Sequence, residues 1–221
     1  MLFFAKRFII LNKSNVTFVI YKGVIFMKSI VINRQYGSGG REIGSILAEK
    51  LNISFYDSRI YEEAAEKAGL NYGIMKDFDE KLIQNKMYTL ATSFYINPEV
   101  TQYPYKLFGA ISNAVREAAT KEPCVFIGRC ADKILENENI DFLNVYIYAD
   151  MDTRVKYAMK EQGLSEHLAH AFVNKKDKTR KQYQQFFTNT KLGNMEDYDI
   201  CLNASKLGYD KCVEAIINLY K

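Results

Sequence analysis

Ile32-Asn33-Arg34-Gln35-Tyr36-Gly37-Ser38-Gly39-Gly40-Arg41-Glu42-Ile43 is the stretch on which the reading of this chain turns. Ile30, Val31 and Ile32 lead into it, three consecutive β-branched residues of the kind that form a short strand buried on both sides. The glycines at 37, 39 and 40 break that strand. From about Arg41 the apolar residues Ile43, Ile46, Leu47 and Leu51 then fall on one face of a helix. A strand, a glycine turn and a helix start aim several backbone N–H groups at one point, and together with the helix dipole they favour an anion there. Glycine, lacking a Cβ, allows both the backbone angles and a close approach. Gly37, Ser38, Gly39 and Gly40 are therefore the expected phosphate cradle, with Arg41 beside them.

The turn departs from the P-loop pattern G-x-x-x-x-G-K-[ST]. With Gly39 on its last glycine, Arg34 falls at the first glycine, Gly40 at the lysine and Arg41 at the metal-binding hydroxyl. Arg41 is expected to supply the missing positive charge from one residue further on, since a guanidinium suits phosphate well. Ser38 is the candidate hydroxyl for a metal ion.

Outward from this turn, strands alternate with helices. Short strands are expected at 53–56, 124–127, 143–148 and 199–203. Asp57-Ser58 suits a helix N-cap before a helix at 59–68, and Asp150-Met151-Asp152 starts another. Residues 74–122 read as mostly helical, interrupted at Asn97-Pro98 and at Tyr103-Pro104. Residues 165–191 are polar and basic, and 211–220 form a closing amphipathic helix. This alternation is the pattern of an α/β fold, a parallel sheet of about five strands with helices on both faces. Ligands of such sheets bind beyond the carboxyl ends of the strands, which here carry Arg34, Asp57, Gly128-Arg129 and Asp150.

At 221 residues the chain suits one α/β domain, and its 48% apolar and 25% charged content is ordinary for a globular protein. A formal charge of +4 is too mild to argue for nucleic acid as the main partner and is compatible with anionic small molecules. Four cysteines, none in a C-x-x-C pair, argue against a disulfide framework or zinc site and for reduced thiols in a cytoplasmic protein. The two histidines, His167 and His170, make a histidine-based hydrolase improbable and read as a solvated helix face. Residues 1–26 mix basic residues with apolar runs shorter than the roughly 18 residues a membrane span needs. They are expected to lie outside a core that begins at about Met27, with no membrane partner.

The run 32–43 resembles the opening of the cytidylate-kinase-like proteins, a branch of the P-loop nucleoside monophosphate kinases. The likeness continues at Phe55-Tyr56-Asp57, Phe126-Ile127-Gly128-Arg129, Asp177-Lys178-Thr179-Arg180 and Tyr198-Asp199-Ile200-Cys201-Leu202-Asn203, spanning 27–221. The resemblance implies a three-layer P-loop NTPase-like fold with a helical lid at 165–191. It also implies an ATP-dependent kinase, working with Mg²⁺ on a nucleoside monophosphate, CMP or dCMP first. Asp57, Tyr61 and Arg129 would hold the acceptor, and Arg41, Arg154 and Arg180 (with Lys176) would neutralise the transferring group. Cys130 stands where these kinases carry an aspartate after Gly-Arg, and Asp132 follows two positions later as the residue to reach the same space. Two alternatives stay open: a nucleotide-binding module without turnover, because the loop lysine is absent, or a kinase for another small acceptor. In the first of these, a Gly40→Lys variant is expected to gain activity.

Overall fold

The computed structural model describes residues 28–57, 61, 62, 66, 67, 69 and 98–220. The expectations for residues 1–26 and 74–97 lie outside these residues. At 59–68 the described positions 61, 62, 66 and 67 are helical.

Five parallel strands form the sheet: β1 (Ser29–Arg34), β2 (Ser54–Tyr56), β3 (Cys124–Ile127), β4 (Phe142–Tyr148) and β5 (Ile200–Asn203). Their spatial order is β2-β3-β1-β4-β5. β1 is thus central, with Ile30 opposite Val125 of β3 on one side and Leu143 of β4 on the other. Side chains alternate along a strand, so β1 serves two cores. Ile30 and Ile32 join Ile43, Leu47, Val145, Val213 and Ile216 on one face. Val31 joins Tyr61, Leu107, Ile111, Phe126 and Leu135 on the other. That is why the run Ile30-Val31-Ile32 is apolar without alternation.

The first face is covered by α1 (Gly40–Leu51) and the closing helix α7 (Tyr209–Tyr220). The second is covered by α2 (Pro98–Lys121) and α3 (Ala131–Asn137). Leu107, Ile111, Val115 and Ala118 put one stripe of α2 onto the sheet, at helical spacing. Pro104 does not interrupt this helix as the sequence had suggested; it sits inside α2, in its second turn. At the seventh helical position its missing N–H removes one i→i−4 bond, a loss outweighed by the packing of Leu107, Ile111, Val115 and Ala118 against the sheet.

Two helices stand beyond the carboxyl end of β4: α4 (Met151–Gln162) and α5 (Glu166–Thr188). Asp150 caps α4 by accepting from the Thr153 N–H at 2.8 Å. Val155 and Ala158 of α4 pack on Ala169 and Val173 of α5 in a small core of their own. α6 (Ala204–Leu207) links β5 to α7. All four cysteines are unpaired thiols. Among the described residues, no helix is long and apolar enough to cross a membrane.

Leu47 is fully buried in the core between α1 and the sheet. Leu47→Ala is expected to lower unfolding free energy by about 2–5 kcal/mol, read from urea denaturation midpoints at constant slope.

Candidate active site

β1 ends at Arg34, and the chain turns through Tyr36, Gly37, Ser38 and Gly39 into α1. Gly37 and Gly39 lie in the left-handed region, at φ 74° and 80°, where a side chain would be strained. A Cβ at Gly37 would lie 3.0 Å from the Arg154 carbonyl oxygen, and one at Gly39 would lie 2.3 Å from the Tyr209 ring. Among the described residues, the backbone N–H groups of Gly37, Ser38, Gly39, Gly40, Arg41 and Glu42 donate to no protein acceptor. The turn thus leaves six consecutive N–H groups without a protein acceptor among the described residues.

The side chains of the turn are placed differently from the expectation. Ser38 is buried, and its hydroxyl lies 2.9 Å from the Gln35 carbonyl and 3.1 Å from the Ile147 carbonyl. It ties the turn to β4 and does not face outward as a metal ligand. Arg41 grips Asp57 through Nε at 2.9 Å and Nη2 at 2.6 Å. Its side chain is about half exposed (48%) while that of Asp57 is buried. The loop arginine and the first acceptor residue are thus paired with each other. Position 40 has no room for a lysine either: a Cβ there would meet Arg34 Cβ at 2.7 Å.

The guanidinium groups that do converge belong to Arg34, Arg129 and Arg180. Together with Lys176 they line a cavity of about 300 Å³ at the carboxyl ends of β1 and β3. Tyr36, Tyr183 and Gln184 complete much of its wall, and no carboxylate is among its described lining residues. Gly128, at φ 65°, opens the space: a Cβ there would lie 2.0 Å from Arg34 Nη1. Arg180 Nη1 donates to the Arg34 carbonyl at 3.2 Å, and its guanidinium lies 5.6 Å from the centre of the Tyr36 ring. Arg129 lies over the Tyr183 ring at 4.7 Å. Burial, then the charges of Arg180 and Arg129, push the Arg34 guanidinium well below its usual pKa. Burial also lowers that of Arg180, opposed by Asp177 and reinforced by Arg129.

Arg154 is held outside this cluster. It is buried and ion-paired to Asp177, Nη1 to Oδ2 at 2.5 Å. The other Asp177 oxygen accepts the Tyr36 N–H of the glycine turn at 2.7 Å. The Tyr36 ring enters the core between α4 and α5, edge-on to Tyr157 and Phe172. The basic stretch 165–191 is therefore docked on the turn through one carboxylate and one ring.

Of the acceptor candidates, Tyr61 is fully buried, and the Asp57 carboxylate opposes the lowering of the Arg34 pKa. Asp132 is buried at the start of α3 and accepts from Gln184 Nε2 at 3.2 Å. Burial raises its carboxyl above the usual range, against hydrogen bonds from the Lys133 N–H and from Gln184. Arg34, Tyr183 and Gln184 were not assigned to the site from the sequence. For the last two a signal existed: Lys176, Arg180, Tyr183 and Gln184 are spaced three or four apart, so they share one face of α5. Arg34 carried no such signal beyond standing at a strand end.

The sheet order, the glycine turn after β1 and the helices beyond β4 match a three-layer P-loop NTPase-like fold. The chain belongs to the cytidylate kinase-like family, whose profile matches residues 29–206. An uncharacterized protein from Eubacterium ventriosum is 28% identical, with 87% of this chain and 98% of that one covered and a TM-score of 0.66. Shikimate kinase from Bacteroides thetaiotaomicron shares the fold at 15% identity, with 87% and 97% covered and a TM-score of 0.51. No curated protein matches the chain. A kinase-like family and a P-loop kinase fold support phosphoryl transfer in general terms.

The raised Asp132 pKa fixes a sign. The folded protein holds the proton more tightly than the unfolded chain, so stability from this residue is full below the usual carboxylate range, near 3.9, and is lost as pH rises through the folded value. Asp132→Asn is expected to flatten the pH dependence of unfolding free energy above pH 4, measured by urea titration at several pH values.

Proposed function

We propose that the chain transfers the γ-phosphoryl group of ATP to a nucleoside monophosphate, with CMP and dCMP the first acceptors to test. The observation that carries this reading is the Arg34, Arg129, Arg180 and Lys176 cavity, which has no carboxylate in its described lining. A hydroxyl acceptor needs a base to take its proton. A monophosphate arrives already ionised, so its oxygen attacks without one, and the site needs only charge neutralisation and alignment. The bond from the γ-phosphorus to the bridging oxygen breaks, its electron pair leaves with ADP, and a bond to the acceptor phosphate oxygen forms. A cation-lined wall with no carboxylate among its described residues favours the monophosphate over a sugar or metabolite hydroxyl.

In this reading the free N–H groups of Gly37 to Glu42 hold the donor phosphates. Arg129 and Arg180 hold the acceptor and transferring groups. Mg²⁺ enters with ATP: the inward Ser38 hydroxyl does not suit it, and no cluster of three metal-binding side chains occurs among the described residues. The docked α4–α5 pair closes water out of the transfer. We take residues 27–221 as the working domain, in the cytoplasm.

A second reading, nucleotide binding without turnover, is favoured by one observation. Asp177 already neutralises Arg154, a residue the family resemblance assigned to the transferring group.

Purified protein with MgATP and each of CMP, dCMP, UMP and AMP separates the two by ADP formation and melting temperature. Turnover with at least one acceptor is expected, with Arg180→Gln about 100- to 1000-fold slower in kcat. Nucleotide-induced stabilisation with ADP production at background in all four would reject transfer in favour of binding alone.

A further inference from the structure

The lysine missing from the glycine turn leaves a position that another residue already fills. We propose that Arg34, from the last position of β1, is the phosphate-contacting cation that takes the place of the absent loop lysine. The ligand it holds is the phosphoryl group in transfer. This inference rests on the phosphoryl-transfer reading of the site.

Two glycines define the path of this side chain. At Gly40, the lysine position of the loop pattern, an added Cβ would lie 2.7 Å from Arg34 Cβ and 3.0 Å from its Cγ. The stem of Arg34 thus fills the ground from which a residue-40 side chain would grow. At Gly128, an added Cβ would lie 2.0 Å from Nη1 and 3.2 Å from Cζ. The head of Arg34 uses the space that this glycine leaves, and Gly128 is in the left-handed region as well. Arg34 therefore runs from beside the donor cradle to the loop after β3, where the acceptor arginine Arg129 stands.

Its pairing sets it apart. Arg41 is held by Asp57, Arg116 by Glu138 and Arg154 by Asp177. The Arg34 guanidinium makes no ion pair and no hydrogen bond among the described residues. Its own backbone carbonyl accepts from Arg180 Nη1, which keeps a second guanidinium alongside. The two guanidinium groups repel, Asp57 and Asp177 offset part of this, and an anion between them would offset more. A planar guanidinium presents paired N–H donors to a phosphoryl oxygen pair. As the bond to ADP breaks and the bond to the acceptor forms, Arg34 neutralises charge on the equatorial oxygens and moves no proton.

Two readouts test this. The first is kcat and KM with MgATP and the best acceptor. The second is calorimetric titration with inorganic pyrophosphate, which reports the phosphate seat whether or not any acceptor turns over. Arg34→Gln is expected to lower kcat by about 100- to 1000-fold, with acceptor KM within about threefold of wild type. It is expected to weaken pyrophosphate binding about tenfold or more, the usual scale for a lost charged contact. Arg34→Lys keeps the charge but loses the planar fork, and recovers only part of either quantity. Lys50→Gln, which removes the same charge at the far end of α1, is expected to leave both unchanged.

Wild-type protein that binds pyrophosphate in an Arg34-dependent way but phosphorylates no monophosphate would defeat the proposed activity and keep the seat. Folded Arg34→Gln protein that matches wild type in pyrophosphate affinity would overturn the seat, as would wild type that binds no pyrophosphate. If Arg34→Gln does not fold, Arg34→Lys decides: full wild-type affinity and kcat in that variant would overturn the inference.

Discussion

Arg34, Arg129 and Arg180 line one small cavity, and burial and their mutual repulsion lower the Arg34 and Arg180 pKa values, with Asp57 and Asp177 opposing. The surrounding fold is what keeps them there. β1 sits between β3 and β4 and is buried on both faces, so Arg34 leaves its end in a fixed direction. β3 ends one strand away and delivers Gly128-Arg129 to the same level. α5 arrives from beyond β4 and brings Lys176 and Arg180 on one face. The repulsion is offset by the apolar burial that holds these three elements, which is the larger quantity in a domain of this size.

The glycines of the site perform two different tasks. Gly37 and Gly39 adopt backbone angles that other residues resist, and so they shape the turn. Gly40 and Gly128 yield space to the stem and the head of one arginine. A loop with a lysine would hold the cation on the turn itself. Here the turn's N–H groups have no protein acceptor among the described residues, and the Arg34 stem, from the strand before, lies against Gly40.

Asp177 and Tyr36 connect the helical pair to the turn. One Asp177 oxygen takes the Tyr36 N–H and the other takes Arg154. The Tyr36 ring, in turn, is part of the core between α4 and α5. These helices are therefore tied to Tyr36, the residue that leads into the glycine turn. A carboxylate on a backbone N–H and a guanidinium also satisfies those donors much as a phosphate oxygen would.

Periodicity and residue type alone determined the central strand, the glycine turn, the first helix and the parallel α/β class. These depend on contacts a few residues apart: consecutive β-branched residues, missing Cβ atoms, apolar residues three and four apart. The same local view misread Tyr103-Pro104, because the helix is held through that proline by its packing on the sheet, which the local sequence does not show. Arg129 and Arg180 entered the reading through a family resemblance carried by Gly128-Arg129 and by Asp177-Lys178-Thr179-Arg180. What only the tertiary structure decided was the sorting of the arginines. Arg41 is claimed by Asp57, 16 residues away, and Arg154 by Asp177, 23 residues away. Arg34 is left facing the cavity. Side chains choose among partners brought together by the fold, and that choice depends on distances in space which spacing along the chain does not carry.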